Sequence, residues 1–569
     1  MKEYRTDMGV ERAKARRLLR LAAAAPVAAY FAFFAAFAVD IPFGDDYPTL
    51  AFVINSTNPD WPAGKAAQIL GQHNEHRIAT LRLTLLALYA LRGEIDFVLV
   101  AFLGNLAAVG IALVLFRGVR GSAGGEPLFL FLPVLFLLFQ PQHFQLMFWA
   151  MCAFTNVVVI FLSFLSLDLL AGKTAGERRG AAFGGALVLA VAAAYTNGNG
   201  LFVFIAGAAV LLVRKRLRRL GIWLLAGGLT AAFYFRGYVK NPAHPDILPY
   251  LKDRFFGVVE YFLSVAGAWA DFGVLRPHAS VIAGLLVMAG LVLLAARGLL
   301  KKSPFLSGAV LFVLASLAAL TWTRAPFGVL QSYEPRYKFL AVVLLALLFL
   351  GWIAVAREKE KRAAGVGFIV FSVVFSGLSY FRNFARGRDY GPVLAVTLVR
   401  WSEGEADLPC ADQEHGEAIL RLAVQRRIYE PPSELNILRP KFPFGAIDPA
   451  AGTPGAAPEG EVVVSGWALD NGGPPRIVVR RNARPGEPIS LLNKKRLAYV
   501  GRARCAAGSA ADVARVYYGF PGREEMLWRF SFRPADFAGG LLEGMTLFFF
   551  ARDRAGRENL IGTVDVPGE

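Results

Sequence analysis

Two adjacent carboxylates, Asp45-Asp46, stand just beyond the apolar run from Leu21 to Val39, in the string Asp40-Ile-Pro-Phe-Gly-Asp45-Asp46-Tyr47. A second dense polar cluster follows at Gln72-His73-Asn74-Glu75-His76-Arg77. Three more interrupt apolar sequence: Gln140 to Gln145 with Trp149 and Asn156, then Thr196-Asn197-Gly198-Asn199-Gly200, then Arg324 to Gly328 followed by Tyr333-Glu334-Pro335-Arg336-Tyr337-Lys338. Irregular backbone at membrane depth is tolerated where it lines a protein-buried or wet cavity. Together these segments are expected to enclose one polar site at a membrane face, acidic on one side and basic on the other.

The chemistry that suits such a site is group transfer from a lipid phosphate. A sugar on a polyprenyl phosphate carries its own leaving group, which departs without protonation and needs fixed positive charge. Arg supplies that best through its bidentate fork. Arg324, Arg336 and Lys338 are the candidates, with Arg77 another. The acceptor hydroxyl is a poor nucleophile, so a carboxylate must orient it and take its proton, a role that fits Asp45 or Asp46. A carboxylate near the anomeric carbon would ease the charge that develops there. His73, Glu75, His76, Tyr333 and Tyr337 complete the expected substrate-binding set.

Plainer readings stand beside these. Acidic residues favour helix N-termini, so Asp45-Asp46 could simply cap the helix that follows. The His73 to Arg77 cluster could be a salt-bridged loop. Arg324 and Arg336 could be anchors that snorkel to headgroups. His73 and His76, at i, i+3 with Glu75 between them, could ligate a metal, although that spacing is loose and no further ligand set is evident. A divalent cation shared by Asp45, Asp46 and a donor phosphate is a further reading of the pair, and no other cofactor is expected.

The elements that must position these residues are mostly membrane spans. Of the 569 residues, 55% are hydrophobic and 18% charged, and 46 are Phe. Apolar runs near twenty residues recur along the chain, as a polytopic membrane protein requires. The net charge of +18 does not imply a nucleic-acid partner, because the basic residues fall largely in short inter-helix loops: Arg12 to Arg20, Arg117 to Arg120, Lys173 to Arg179, Arg214 to Arg219, Arg297 to Lys302 and Arg357 to Arg362. By the positive-inside rule these loops are cytoplasmic. Spans are expected near 21–39, 95–116, 126–139, 150–171, 181–196, 200–213, 220–237, 280–296, 304–322, 338–355 and 364–381. That gives about eleven, with the N-terminus inside and the C-terminus outside. The stretches 78–91 and 257–270 are expected as interfacial or re-entrant helices on the outer face.

Composition changes after the last span. An amphipathic helix is expected from Glu414 to Tyr429 and a linker from Pro449 to Gly460. From Glu461 short alternating runs, among them Val462 to Ala468, Arg476 to Val479, Trp528 to Phe532 and Met545 to Phe550, predict a β-sandwich. Cys152 falls in a span. Cys410 and Cys505 fall outside, where an oxidising compartment would let them pair.

The position of Asp45-Asp46 in a long loop after the first span resembles the GT-C superfamily of integral-membrane glycosyltransferases. So do the span pattern and the C-terminal domain. Asn74-Glu75-His76-Arg77-Ile78, and Arg324-x-x-x-Gly328 ahead of Arg336-Tyr337, are similar to strings in bacterial membrane proteins of this type. The Trp-Trp-Asp signature of oligosaccharyltransferases is lacking. The resemblance implies a GT-C-like transmembrane domain over 1–385 with its first outer loop at 40–94, an outer connecting region at 386–460 and a β-sandwich accessory domain at 461–569. It implies an inverting transferase of a bacterial inner membrane, with the accessory domain periplasmic or extracellular. The sugar would move from a polyprenyl-phosphate donor to a lipid-linked or envelope glycan. One Asp of the pair would be the base and Arg336 a phosphate ligand. A transporter or flippase for a lipid-linked glycan is the alternative, although such proteins place charges near the midplane within inverted repeats, and no repeat is evident here.

Overall fold

The computed structural model describes residues 2–58, 64–122, 124, 126–172, 178–240, 245–402, 407–410, 412–432, 444–448, 462–469, 476–482, 490–492, 495–506, 526–533, 545–552 and 558–566. Among them, eight helices are long and apolar enough to cross a membrane: Ala13–Phe37, Phe97–Val119, Pro127–Phe148, Ala150–Ala171, His278–Ala296, Pro304–Phe327, Pro335–Val355 and Glu358–Trp401. Starts are set by local chemistry. Asp96 accepts a hydrogen bond from the Leu99 N–H at the head of Phe97–Val119, and Pro127, Pro304 and Pro335 sit in first turns where a missing N–H costs nothing.

Three of the expected spans, 181–196, 200–213 and 220–237, are helical but fall short in length or apolarity. The first two, Gly180–Ala194 and Gly198–Val213, are cut apart at the Thr196–Gly200 break. The third, Leu217–Phe235, spends its first turn on Arg218 and Arg219. The stretch at 257–270 forms the short helix Phe255–Ala266, and 78–91 forms Ala79–Arg92, which buries Leu81 and Leu85 and exposes Leu83 and Leu91. The final helix runs on from Glu358 to Ser402, 45 residues in all, well past the expected end at 381.

Chain beyond that helix folds back onto the first loop. The Gln413–Gln425 helix packs against Asp46–Ser56, burying Leu420 and Ala423. Backbone bonds fasten the contact: Gly44 N–H to the Pro409 carbonyl and Ile95 N–H to the Ile428 carbonyl, both 2.7 Å. The Tyr429 hydroxyl adds a 2.7 Å bond to the Asp40 carbonyl. The side chain of Cys505 lies outside the described residues, and with it the expected pairing with Cys410. The expected linker, Pro449 to Gly460, lies outside them too.

The strands are β1 (Gln72–His73), β2 (His76–Arg77), β3 (Phe444–Ile447), β4 (Val462–Leu469), β5 (Arg476–Asn482), β6 (Ser490–Leu492), β7 (Lys495–Arg502), β8 (Arg504–Ala506), β9 (Leu527–Phe532), β10 (Met545–Arg552) and β11 (Glu558–Val566). β1 and β2 form a minimal hairpin in the first loop. The others form two antiparallel sheets ordered β11-β10-β5-β7-β6 and β3-β4-β9-β8. Val464, Trp528 and Phe532 of one sheet meet Ile477, Val479, Leu547 and Phe549 of the other, with Trp528 stacked on Phe549 at 5.3 Å. Strand pairing begins at Phe444, ahead of the expected start at 461.

Candidate functional site

The two adjacent carboxylates do different things. Asp46 is 2% exposed, and its oxygens accept from Phe43 N–H at 3.1 Å and Met151 N–H at 2.8 Å. Met151 lies in the first turn of Ala150–Ala171, so Asp46 caps that helix from a distant loop. Burial pushes its carboxyl up to about 8, against the pull of those two N–H donors. Asp45 is half-buried and points elsewhere. It accepts from Asn74 Nδ2 at 3.1 Å, which ties it to the β1–β2 turn. Asn74 takes φ 47°, a left-handed setting that Asn tolerates, and the next two residues, Glu75 and His76, reach a cavity.

The sign of the Asp46 shift gives a stability expectation. A carboxyl that binds its proton more tightly folded than unfolded favours folding at low pH, and that contribution is lost as pH rises through about 8. Thermal unfolding of the solubilised protein from about pH 5 to about pH 9 should show wild type losing stability with pH more steeply than Asp46→Asn. The Asn oxygen still accepts from Met151. Asp46→Ala leaves two N–H groups unpaired and should cost about 1–3 kcal/mol at every pH.

The loop is held by a glycine. Gly44 has φ +55°, and a Cβ there would lie 2.8 Å from Trp149 Cζ2. Trp149 is packed edge-on against Phe43 with ring centres 5.0 Å apart, and the Arg336 guanidinium lies 5.4 Å from the Trp149 ring and 5.2 Å from that of Tyr337. One indole thus spaces the acidic loop from the basic wall. Gly44→Ala should destabilise by about 1–2 kcal/mol from the left-handed backbone alone, read by thermal unfolding, and should also reduce activity as Trp149 is displaced.

The cavity has a volume of about 1010 Å³. Its polar wall holds Glu75, His76, Asn156, Asn197, Asn199, Arg324, Arg336 and Tyr337. An apolar wall continues it between Phe202–Val213, Leu217–Phe235 and Pro304–Arg324, where Ile205, Leu224 and Trp322 are each more than half exposed. Such a space accepts a charged head and a long apolar tail together.

The other expected site residues are placed in the frame around it. Arg77 donates to the carbonyls of Tyr234 and Arg236, both at 2.6 Å, and to that of Leu70. His73 is buried in the hairpin, and burial, helped by Arg82 and His76, pushes its imidazole down toward the neutral form against the pull of the Asp45 carboxylate. Tyr333 accepts from the Ser264 hydroxyl at 2.7 Å and lies under the Arg276 guanidinium. Lys338 is buried with Asp271, Nζ to Oδ2 2.8 Å. Burial alone would raise the Asp271 carboxyl, but Arg276 and Lys338 together hold it below the usual range. Gln140, Gln142 and His143 are buried as well, with Gln142 Nε2 donating to the carbonyls of Trp269 at 2.8 Å and Asp271 at 3.1 Å.

Among the described residues, no three His, Cys, Asp or Glu side chains converge as a metal site. The Asp46 oxygens are already engaged by N–H donors and Asp45 turns to Asn74, so the pair does not fit a shared divalent ion. Tyr234, Tyr238, Lys240 and Asp246 also line the cavity and were not marked by the sequence. Tyr234 lies in the last turn of the helix Leu217–Phe235, and the others lie in the chain that follows it.

The fold is that of a polytopic α-helical membrane protein with an appended β-sandwich. No family model matches the chain, and no curated protein matches it. Among solved structures, a crystal structure of ArnT from Cupriavidus metallidurans in the apo state is similar. It is 17% identical over 73% of this chain and 70% of that one, with a TM-score of 0.37. So loose a superposition carries no functional argument, which rests on the cavity's own residues.

Proposed function

We propose that the protein is an inverting glycosyltransferase that moves a sugar from a polyprenyl-phosphate donor to a lipid-linked or envelope glycan on the outer face of a bacterial inner membrane. One observation carries this reading: a single cavity joins Arg324 and Arg336 to Glu75 on its polar wall and continues into an apolar wall between lipid-facing helices. A prenyl chain lies along the apolar wall. Its phosphate meets Arg336 and Arg324, whose guanidinium groups suit a dispersed anion.

Reaction is then a single displacement. The acceptor oxygen bonds to the anomeric carbon as the bond from that carbon to the phosphate oxygen breaks, and the polyprenyl phosphate leaves as an anion. Asp45, held by Asn74 next to the cavity residues Glu75 and His76, takes the acceptor's proton. Glu75, inside the cavity, faces the positive charge that develops on the ring. Asp46 acts through structure, by fixing the loop to the head of Ala150–Ala171. The reading is tested by incubating the reconstituted protein with a polyprenyl-phosphate hexose and an envelope lipid extract. Growth of one lipid or glycan by one hexose mass, with release of polyprenyl phosphate, supports it. Movement of the intact donor across the membrane without loss of its sugar would replace it with a transporter.

A further inference from the structure

The proposed chemistry uses the charged groups of the cavity and leaves its carboxamides without a role. Asn156 stands on Ala150–Ala171, while Asn197 and Asn199 stand on the turn leading into Phe202–Val213, and all three line the cavity. They are joined to each other and to the helices. Asn197 Nδ2 donates to Asn156 Oδ1 at 3.3 Å, Asn156 Nδ2 to the Cys152 carbonyl at 3.0 Å, and Asn199 Nδ2 to Ser316 Oγ at 3.2 Å. The turn is shaped for this placement: a Cβ on Gly200 would come within 2.0 Å of the Ala193 carbonyl oxygen, and one on Gly198 within 2.9 Å of His76 Nδ1. Asn199 Oδ1 is buried and has no hydrogen-bond partner among the described residues. A buried acceptor left empty is costly, and this one is held at a cavity wall by its own amide's bond to Ser316.

The chemistry of a carboxamide narrows what it meets. It is uncharged and offers an acceptor beside two donors, which matches a hydroxyl. A phosphate offers only acceptors and an ammonium only donors. The phosphate has its partner in the same cavity, because Arg336 and Asn156 both line it. A phosphate on Arg336 therefore leaves the sugar it carries in the cavity that the three carboxamides line.

We infer that Asn156, Asn197 and Asn199 form a subsite that reads the hydroxyls of an uncharged sugar ring on the lipid donor. This rests on the donor class proposed above. The test is calorimetric binding to the full-length protein in nanodiscs, with lipids that share one polyprenyl chain and one phosphodiester charge. They carry glucose, mannose or galactose, the corresponding 2-amino-2-deoxy sugar, or a methyl group in place of the sugar. The best neutral hexose is expected to bind about tenfold or more tighter than the methyl diester. Asn156→Ala and Asn199→Ala should each shrink that ratio by about 2- to 10-fold, whereas Arg336→Ala weakens all the lipids and leaves the ratio in place. The subsite is overturned if neither Asn variant moves the ratio, or if the amino sugar binds tightest, which would make Glu75 the reader. Absence of binding by every lipid, with the protein folded, would overturn the donor class itself.

Discussion

Asp45→Asn is expected to lower kcat by about 10²- to 10⁴-fold, the range that a positioned general base supplies. The substitution isolates charge from shape. A carboxamide oxygen at this position still accepts from Asn74 Nδ2, the 3.1 Å bond that ties the loop to the β1–β2 turn, so the loop keeps its place and only the proton-accepting group is removed. KM for the donor should change little, because the cavity proposed for the donor is lined by Glu75 and His76 and not by Asp45. The neighbouring Asp46→Asn is the matched comparison: same chemistry, adjacent residue, but a side chain turned toward Phe43 and Met151. It should retain most of the rate. Steady-state kinetics on both variants separates the roles, and equal losses would mean that the loop's integrity, rather than one carboxylate, is what the rate senses.

Arg336→Ala should cost about 10²- to 10³-fold in kcat/KM, the scale set by removing a preorganised partner for developing negative charge. Its guanidinium lies against the rings of Trp149 and Tyr337, 5.4 Å and 5.2 Å from their centres, and so would meet the proposed phosphate already oriented. Arg336→Lys should recover only part of the loss, since an ammonium keeps the charge but neither stacks nor forks. Both losses should appear in donor KM as well as in kcat, because the phosphate is anionic in the ground state and gains charge on departure. Unchanged kcat/KM in the Ala variant would move phosphate binding to Arg324.

How much of the fold and site is legible in the sequence follows from the kind of signal each feature leaves. Span positions are readable because a run of about twenty apolar residues matches the thickness of a bilayer's hydrocarbon core. The break at Thr196–Gly200 is readable because five polar or glycine residues there have no loop to occupy. Residues 407–429 clasping the first loop leave no such mark, since their contacts join chain positions more than three hundred residues apart, as in Gly44 to Pro409. Side-chain direction is likewise hidden. Asp45 and Asp46 look interchangeable in sequence, yet one residue of rotation sends Asp46 to a helix N-terminus and Asp45 to the hairpin. Arg77 and Lys338 read as phosphate ligands by charge alone, whereas three carbonyls engage the first and Asp271 the second. Strands such as β3, β7 and β11 are less legible, because polar and glycine residues blur their alternation and pairing with neighbours is what makes them strands.

The most direct test of sugar transfer is mass spectrometry of glycans and envelope lipids from cells carrying wild type, a deletion, or Asp45→Asn at matched expression. The deletion and Asp45→Asn are expected to lack the same single sugar mass from one glycan or lipid, with the polyprenyl-phosphate sugar accumulating in both. A wild-type glycan profile in Asp45→Asn cells, beside a changed one in the deletion, would contradict that expectation.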